Sequence, residues 1–97
     1  MPYKKEADVI RYHLARSATS IGANYEESQT AFSNEDFKFK LSICFKESKE
    51  TNYWLRLIQA TGLMFNNDLQ LLIKESEELK NIFGKIVKGI NKGRGKP

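Results

Sequence analysis

The 97-residue sequence contains few of the residues on which most catalytic and metal sites depend. It has one cysteine, Cys44, and one histidine, His13. A single cysteine cannot form an internal disulfide, which fits a reducing compartment and predicts a cytoplasmic protein. A metal site needs several such ligands close together, and no pair of them stands at ligand spacing. We therefore expect neither a metal nor a cofactor.

Proline and long apolar runs are also scarce. The two prolines are Pro2 and Pro97, so nothing between the two ends prevents helix formation. No apolar run approaches the ~20 residues that a membrane span needs. The N-terminal lysines are not followed by the apolar stretch of a signal peptide. These absences predict a helical protein without a membrane partner.

Acidic residues are missing from the C-terminal end. After Glu78 every charged residue is basic, namely Lys80, Lys85, Lys88, Lys92, Arg94 and Lys96. Without these six charges the net charge of +4 would be −2, so the basic character belongs to this end of the chain. Such an end suits nucleic acid or another polyanion. The alternative is that it is only a solvated, disordered tail.

Three segments carry apolar and small residues at alternating spacings of three and four. This is the period of helices that pack nearly parallel in a bundle. It predicts helices over about 6–31 and 35–61, and a third through residue 90. The connections are short, which favours antiparallel neighbours. The fold class is therefore all-α, an up-down helical bundle over 1–90 followed by a basic flexible tail over 91–97.

Turn residues separate the three segments. Ser33 or Asn34 is suited to cap the second helix, and Gly62 is suited to end it, with Leu63 covering its last turn. A run of polar residues from Asn66 is suited to cap the third helix. Each helix has more than one apolar flank, so three helices alone would leave apolar surface exposed. We therefore expect a fourth helix from this chain or another, most simply through self-association.

The first helix has small or polar residues where a core normally has leucine. Ser20, Asn24 and Glu27 share a face, and Glu50 of the second helix can reach inward between helices. One interpretation is a ligand or subunit contact. The interpretation that we favour is an interhelical hydrogen-bond network, formed by these four residues, that fixes the register of the helices.

No pattern in the sequence indicates an active site. Cys44 lies on the apolar stripe of the second helix, where a free cysteine usually behaves as a small hydrophobe. Gly89, Gly93 and Gly95 follow a helix and do not join a strand to a helix, so they do not indicate a phosphate-binding loop. We predict no catalytic residues and a protein that is not an enzyme.

The run from Leu14 to Glu27, LARSATSIGANYEE, resembles the signature of the four-helix bundle proteins known as 23S rRNA intervening-sequence proteins or S23 ribosomal proteins. Asp36-Phe37 and Tyr53-Trp54-Leu55 of the second helix support the resemblance, which covers roughly residues 8–90. The family's motif Asn and Glu residues fall on Asn24, Glu27 and Glu50.

The resemblance implies a small antiparallel bundle that assembles into rings, typically pentamers. Many members are encoded in intervening sequences of bacterial 23S rRNA genes, and most have no established activity. A related branch, the accessory proteins of diversity-generating retroelements, binds nucleic acid and a reverse transcriptase. Members usually carry another helix before the equivalent of Lys5, which has no counterpart in this sequence. A late start codon, a truncation or a naturally shortened member would each explain the difference.

Two hypotheses for the function follow. The first is a non-enzymatic helical homo-oligomer that binds RNA or DNA through basic residues. Its candidate contacts are Lys85, Lys88, Lys92, Arg94 and Lys96, with Arg11 and Arg16 as a second patch. The second is a structural scaffold that binds a protein partner and has no role with nucleic acid.

Overall fold

A computed structural model describes residues 4–62 and 66–94, with the side chains of 5–62 and 66–90. The described residues form three α-helices and no strand: α1 (Lys4–Gln29), α2 (Asn34–Thr61) and α3 (Asn67–Arg94). The predicted all-α class is therefore confirmed, and the helix bounds differ from the predicted ones by a few residues.

The ends of the helices are set by the turn residues that the sequence indicated. Ser33 has an extended backbone, and its Oγ accepts a hydrogen bond of 3.1 Å from the backbone N–H of Asp36. Gly62 ends α2 in the left-handed conformation, with φ 71°, which a glycine adopts without steric cost. Asn66 Oδ1 accepts a hydrogen bond of 2.8 Å from the backbone N–H of Leu69 and so caps α3.

The C-terminal end of α3 differs from the prediction. The helix continues through Gly89 to Arg94, so residues 91–94 of the predicted tail are helical. One glycine inside a helix costs only about 1 kcal/mol relative to alanine, and no proline follows before Pro97. The side chains of Lys92 and Arg94 lie outside the described residues. Lys96 lies outside them as well, and so does Leu63, which was predicted to cover the last turn of α2.

The helix α2 lies in the middle of the molecule. Its two neighbours both pack on it, and no Cα atom of α1 lies within 8 Å of a Cα atom of α3. Arg16 meets Glu50 whereas the later Glu27 meets the earlier Lys40, so α1 and α2 are antiparallel. Asn52 likewise meets Ser76 whereas the earlier Phe45 lies beside the later Gly84, so α2 and α3 are antiparallel. The result is an elongated molecule with extents of 56 × 21 × 18 Å.

The apolar core lies where all three helices contribute side chains. Leu41, Cys44 and Phe83 are buried together, and Ile21 of α1 is one of the partly buried residues packed against them. Cys44 is fully buried, and its Sγ lies 3.6 Å from the carbonyl oxygen of Ile21. Burial raises the pKa of the Cys44 thiol above its ordinary value of 9.0. The residue is thus a neutral part of the core.

Small polar side chains connect α2 to each of the two helices that pack on it. Thr51 Oγ1 lies 2.9 Å from Ser17 Oγ, which joins α2 to α1. Asn52 Nδ2 donates a hydrogen bond of 3.0 Å to Ser76 Oγ, which joins α2 to α3. Among the described residues, no buried side-chain nitrogen or oxygen is without a hydrogen-bond partner. The register of the helices is therefore supported by contacts that leave no buried polar side chain of the described residues unpaired.

The helix α3 also carries an exposed apolar stripe, at spacings of seven, three and four residues. Its members are Leu72, Leu79, Ile82 and Ile86, and each is exposed. These positions lie on one side of α3. The stripe matches the excess apolar surface that the sequence predicted for three helices.

Candidate nucleic-acid interface

The two arginines predicted as a second basic patch do not lie together. They are five positions apart on α1, which places their side chains about 140° apart around the helix. Arg11 is exposed and pairs with Asp8 at 3.2 Å within its own helix. Arg16 points to α2. They are therefore two separate sites.

Arg16 is bound to two carboxylates of α2. Its Nη2 lies 2.6 Å from Glu50 Oε2 and 3.3 Å from Glu47 Oε2. The side chain of Glu47 is only 6% exposed, whereas that of Arg16 is 43% exposed. The guanidinium therefore neutralises a nearly buried carboxylate at the contact between α1 and α2, and its charge is largely committed to the protein.

The four residues predicted as one polar network belong to three separate contacts. Asn24 Nδ2 donates to the carbonyl oxygen of Ser20 at 2.8 Å and lies 3.1 Å from Ser20 Oγ, so this pair stays within α1. Glu27 pairs with Lys40 of α2 at 3.6 Å. Glu50 pairs with Arg16, eight positions before Asn24 and so roughly 12 Å away along the helix. The antiparallel register is what separates Glu50 from the other three.

A basic groove lies between α2 and α3. It has a volume of about 460 Å³, and its lining includes Phe45, Lys49, Lys80, Lys85 and Lys88. The Nζ of Lys49 lies 4.6 Å from the centroid of the Phe45 ring, a cation–π contact. Lys80 is paired with Glu77 at 2.7 Å, which is the solvated pair expected at this spacing. Lys85 and Lys88, both predicted contacts, line this groove.

A second cleft lies between α1 and α2, and it combines aromatic rings with cations. It has a volume of about 560 Å³ and is lined by His13, Arg16, Lys46, Lys49, Glu50, Tyr53 and Trp54. The rings of His13 and Trp54 are stacked, with centroids 4.8 Å apart and an interplanar angle of 7°. Tyr53 meets Trp54 edge to face at 5.0 Å. Lys49 borders both this cleft and the basic groove.

Four exposed lysines of α2 and α3 form what we call the basic face: Lys46, Lys49, Lys85 and Lys88. Within the described part of the chain, none of the four has a carboxylate oxygen within 4.0 Å. The sequence indicated the two lysines of α3 but not Lys46 and Lys49. Lys46 stands four positions before Glu50, a spacing at which ion pairs form on a helix, but Glu50 binds Arg16 instead. Lys46 and Lys49 could have been predicted from their spacing of three residues, which places both on the exposed side of α2.

Neither a metal-ligand cluster nor a membrane-spanning helix is found among the described residues. In the ranges 4–62 and 66–94, no three histidine, cysteine, aspartate or glutamate residues come together in a way that could hold a metal ion. Over the same ranges, the helices lack the combination of length and apolar composition that a membrane-spanning segment requires.

Comparisons with known proteins agree with the fold. The family model described as 23S rRNA-intervening sequence protein matches residues 2–85. A crystal structure of a protein of unknown function from the S23 ribosomal protein family of Bacteroides thetaiotaomicron VPI-5482 is 38% identical in sequence. That match has a TM-score of 0.76 and covers 82% of this chain and 74% of the other. No curated protein matches the chain.

Proposed function

Because the chain belongs to the 23S rRNA-intervening sequence protein family, we propose that it is a non-enzymatic, self-associating helical protein that binds RNA or DNA. The observation that carries this proposal is the basic face. Lysines without a carboxylate partner are free to exchange their counterions for the phosphates of a nucleic acid. We do not include Arg16 among the proposed phosphate contacts, because Glu47 and Glu50 already pair with its guanidinium.

The basic face has the properties of a phosphate-binding surface. Lys46 and Lys49 come from α2, and Lys85 and Lys88 come from α3, so the charge spans two helices whose spacing is fixed by packing. Lysine binds phosphate as a point charge and carries no sequence information by itself. We therefore expect binding that depends strongly on salt and weakly on sequence.

The test is the affinity for a labelled RNA oligomer, measured by fluorescence anisotropy at several salt concentrations. We expect the double variant Lys85→Gln/Lys88→Gln to lower the slope of log K against log[salt] by roughly 1.5, since each lost phosphate contact contributes about 0.7–0.9. Arg11→Gln is the matched control, because it removes one positive charge from a residue that lines neither the basic groove nor the cleft. Equal effects per charge at both places would show that net charge, and not the basic face, governs binding.

Self-association is proposed to occur through the apolar stripe of α3 with a second copy of the chain as its partner. The stripe Leu72–Ile86 is exposed along four turns of the helix, which is unusual for a monomer. Family resemblance suggests a ring of five copies. Light scattering measures the mass of the assembly, and we expect Ile82→Glu to reduce it. Phe39→Glu, which alters an exposed apolar residue of α2, should leave the mass unchanged. A wild-type monomer across the micromolar range would contradict the proposal.

The alternative is a scaffold that binds a protein partner and has no role with nucleic acid. The exposed apolar stripe of α3 favours it, since such a surface also fits another protein. Gel shifts with unrelated RNA and DNA distinguish the two functions. Complete absence of binding at low salt would favour the scaffold.

A further inference from the structure

We propose that the cleft between α1 and α2 is a base-stacking site, in which one unpaired base of a single-stranded nucleic acid packs on the aromatic side chains. This inference rests on the proposed nucleic-acid function and specifies its ligand as single-stranded. It assigns a role to the aromatic residues of the cleft, which the basic face alone does not explain.

The cleft presents a preformed aromatic wall. His13 stacks on one face of Trp54, Tyr12 meets His13 edge to face at 5.3 Å, and Tyr53 meets Trp54 in the same way. These contacts fix the ring planes before any ligand arrives. Tyr53 is nevertheless 48% exposed, so its ring is open to a further stacking partner. Every base has a π-face, and therefore a ring of this kind binds bases with little sequence preference.

Cations stand where the backbone of a stacked nucleotide would pass. Lys46, Lys49 and Tyr53 follow one another at spacings of three and four, which places them along one face of α2. The carboxylate of the cleft, Glu50, is neutralised by Arg16 at 2.6 Å, so it offers little repulsion to a phosphate. An aromatic wall beside a row of lysines is the combination used for single strands, in which rings hold the bases and cations follow the backbone.

The same geometry disfavours a duplex. Bases in a duplex are paired and stacked within the helix, and they must be unstacked before they can reach a protein ring. A cleft whose recognition surface is aromatic therefore selects unpaired bases, whereas the lysines alone would accept either form.

The first experiment uses the intrinsic fluorescence of Trp54, which is the chain's single tryptophan and lies in the cleft. The probes are a single-stranded RNA 12-mer, the duplex of the same sequence, and an abasic oligomer of equal length and charge. We expect the single strand to quench Trp54 and to bind about tenfold more tightly than the abasic oligomer, since one stacked base contributes on that order. Equal affinity for the single strand and the abasic oligomer, without quenching, would overturn the inference.

The second experiment compares variants. Tyr53→Ala should weaken single-strand binding about tenfold and leave abasic binding unchanged. Phe39→Ala removes another exposed aromatic ring of α2, fourteen positions away, and should change neither. Circular dichroism of both variants serves as the control for folding, and we expect the helical signal of the unmodified protein. Equal effects of Tyr53→Ala on both oligomers would overturn the stacking role.

The two proposals fail in different ways. If Lys46→Gln/Lys49→Gln lowers the salt slope while Tyr53→Ala has no effect, the phosphate-binding function stands and the stacking site is overturned. If none of the three probes binds at low salt, the proposed function is overturned, and the stacking site with it.

Discussion

Replacement of Arg16 by glutamine tests whether this residue is part of the structure or part of a binding surface. Arg16 makes two contacts of different cost. Its pair with Glu50 is half exposed on both sides, with side-chain exposures of 43% and 37%. Its pair with Glu47 involves a carboxylate that is only 6% exposed. The variant leaves this second carboxylate desolvated and without its cation.

The magnitude follows from these exposures. Exposed ion pairs contribute about 0.2–1 kcal/mol, and this is the expected cost of losing the pair between Arg16 and Glu50. Removing one partner of a fully buried pair costs about 3–5 kcal/mol. Because solvent reaches the guanidinium, the cost at Glu47 must be well below that range. We expect Arg16→Gln to lower the free energy of unfolding by about 2 kcal/mol, or Tm by roughly 8–16 °C for a chain of this size.

Urea unfolding followed by circular dichroism at 222 nm gives the free energy directly. Arg11→Gln is the matched control, since its pair with Asp8 is exposed on both sides, at 71% and 55%, and should contribute at most about 0.5 kcal/mol. The double variant Arg16→Gln/Glu47→Gln should recover more than half of the loss, because it removes the uncompensated charge. If Arg16→Gln costs no more than the control, or if the second substitution recovers nothing, the assigned role of Arg16 is refuted.

Further predictions concern the glycines and the cysteine. Gly22→Ala should stabilise the protein by about 0.5–1 kcal/mol in urea unfolding, since nothing lies within 4 Å of the added Cβ. Gly84→Ala should not stabilise it, because its Cβ would lie 3.1 Å from Phe45 Cε1, and equal gains in the free energy of unfolding would contradict this packing. Iodoacetamide should label Cys44 much more slowly in the native protein than in urea, and equal rates would refute its burial. Burial raises the pKa of this thiol in the folded state, so its contribution to stability is complete below about pH 9 and is lost as pH rises through the raised pKa. Urea unfolding measured at a series of pH values should show this loss in the unmodified protein and not in Cys44→Ala.

Much of the fold could be predicted from the sequence, because its determinants are local. The periodicity of the apolar residues indicated three helices, and Ser33, Gly62 and Asn66 were correctly identified as their boundaries. The resemblance of the run from Leu14 to Glu27 to a known signature led to the same family that the comparisons show. The predicted end of α3 at residue 90 is too early, because a single glycine such as Gly89 costs a helix only about 1 kcal/mol and does not end it.

The candidate site was harder to predict, because it depends on which residues of different helices meet. Glu50 has Lys46 as a neighbour at helical spacing, yet it binds Arg16, which the antiparallel register brings closer. Because Glu50 pairs with Arg16 and not with Lys46, Lys46 has no carboxylate partner among the described residues and belongs to the basic face. The aromatic wall arises in the same way, since His13 and Trp54 are 41 positions apart in the sequence and stack only when α1 lies on α2.

The central position of α2 has a consequence for how the chain folds. The backbones of α1 and α3 each approach only α2, their neighbour in the sequence, so the molecule is close to two helical hairpins that share α2, with side chains such as Tyr25 and Phe83 meeting between the outer helices. Contacts of this kind close short loops, and chains dominated by them fold in microseconds to milliseconds. Either hairpin can form first and serve as the template for the remaining helix. We therefore expect two parallel folding routes, in which substitutions at the contact between α1 and α2 slow one route and leave the other open.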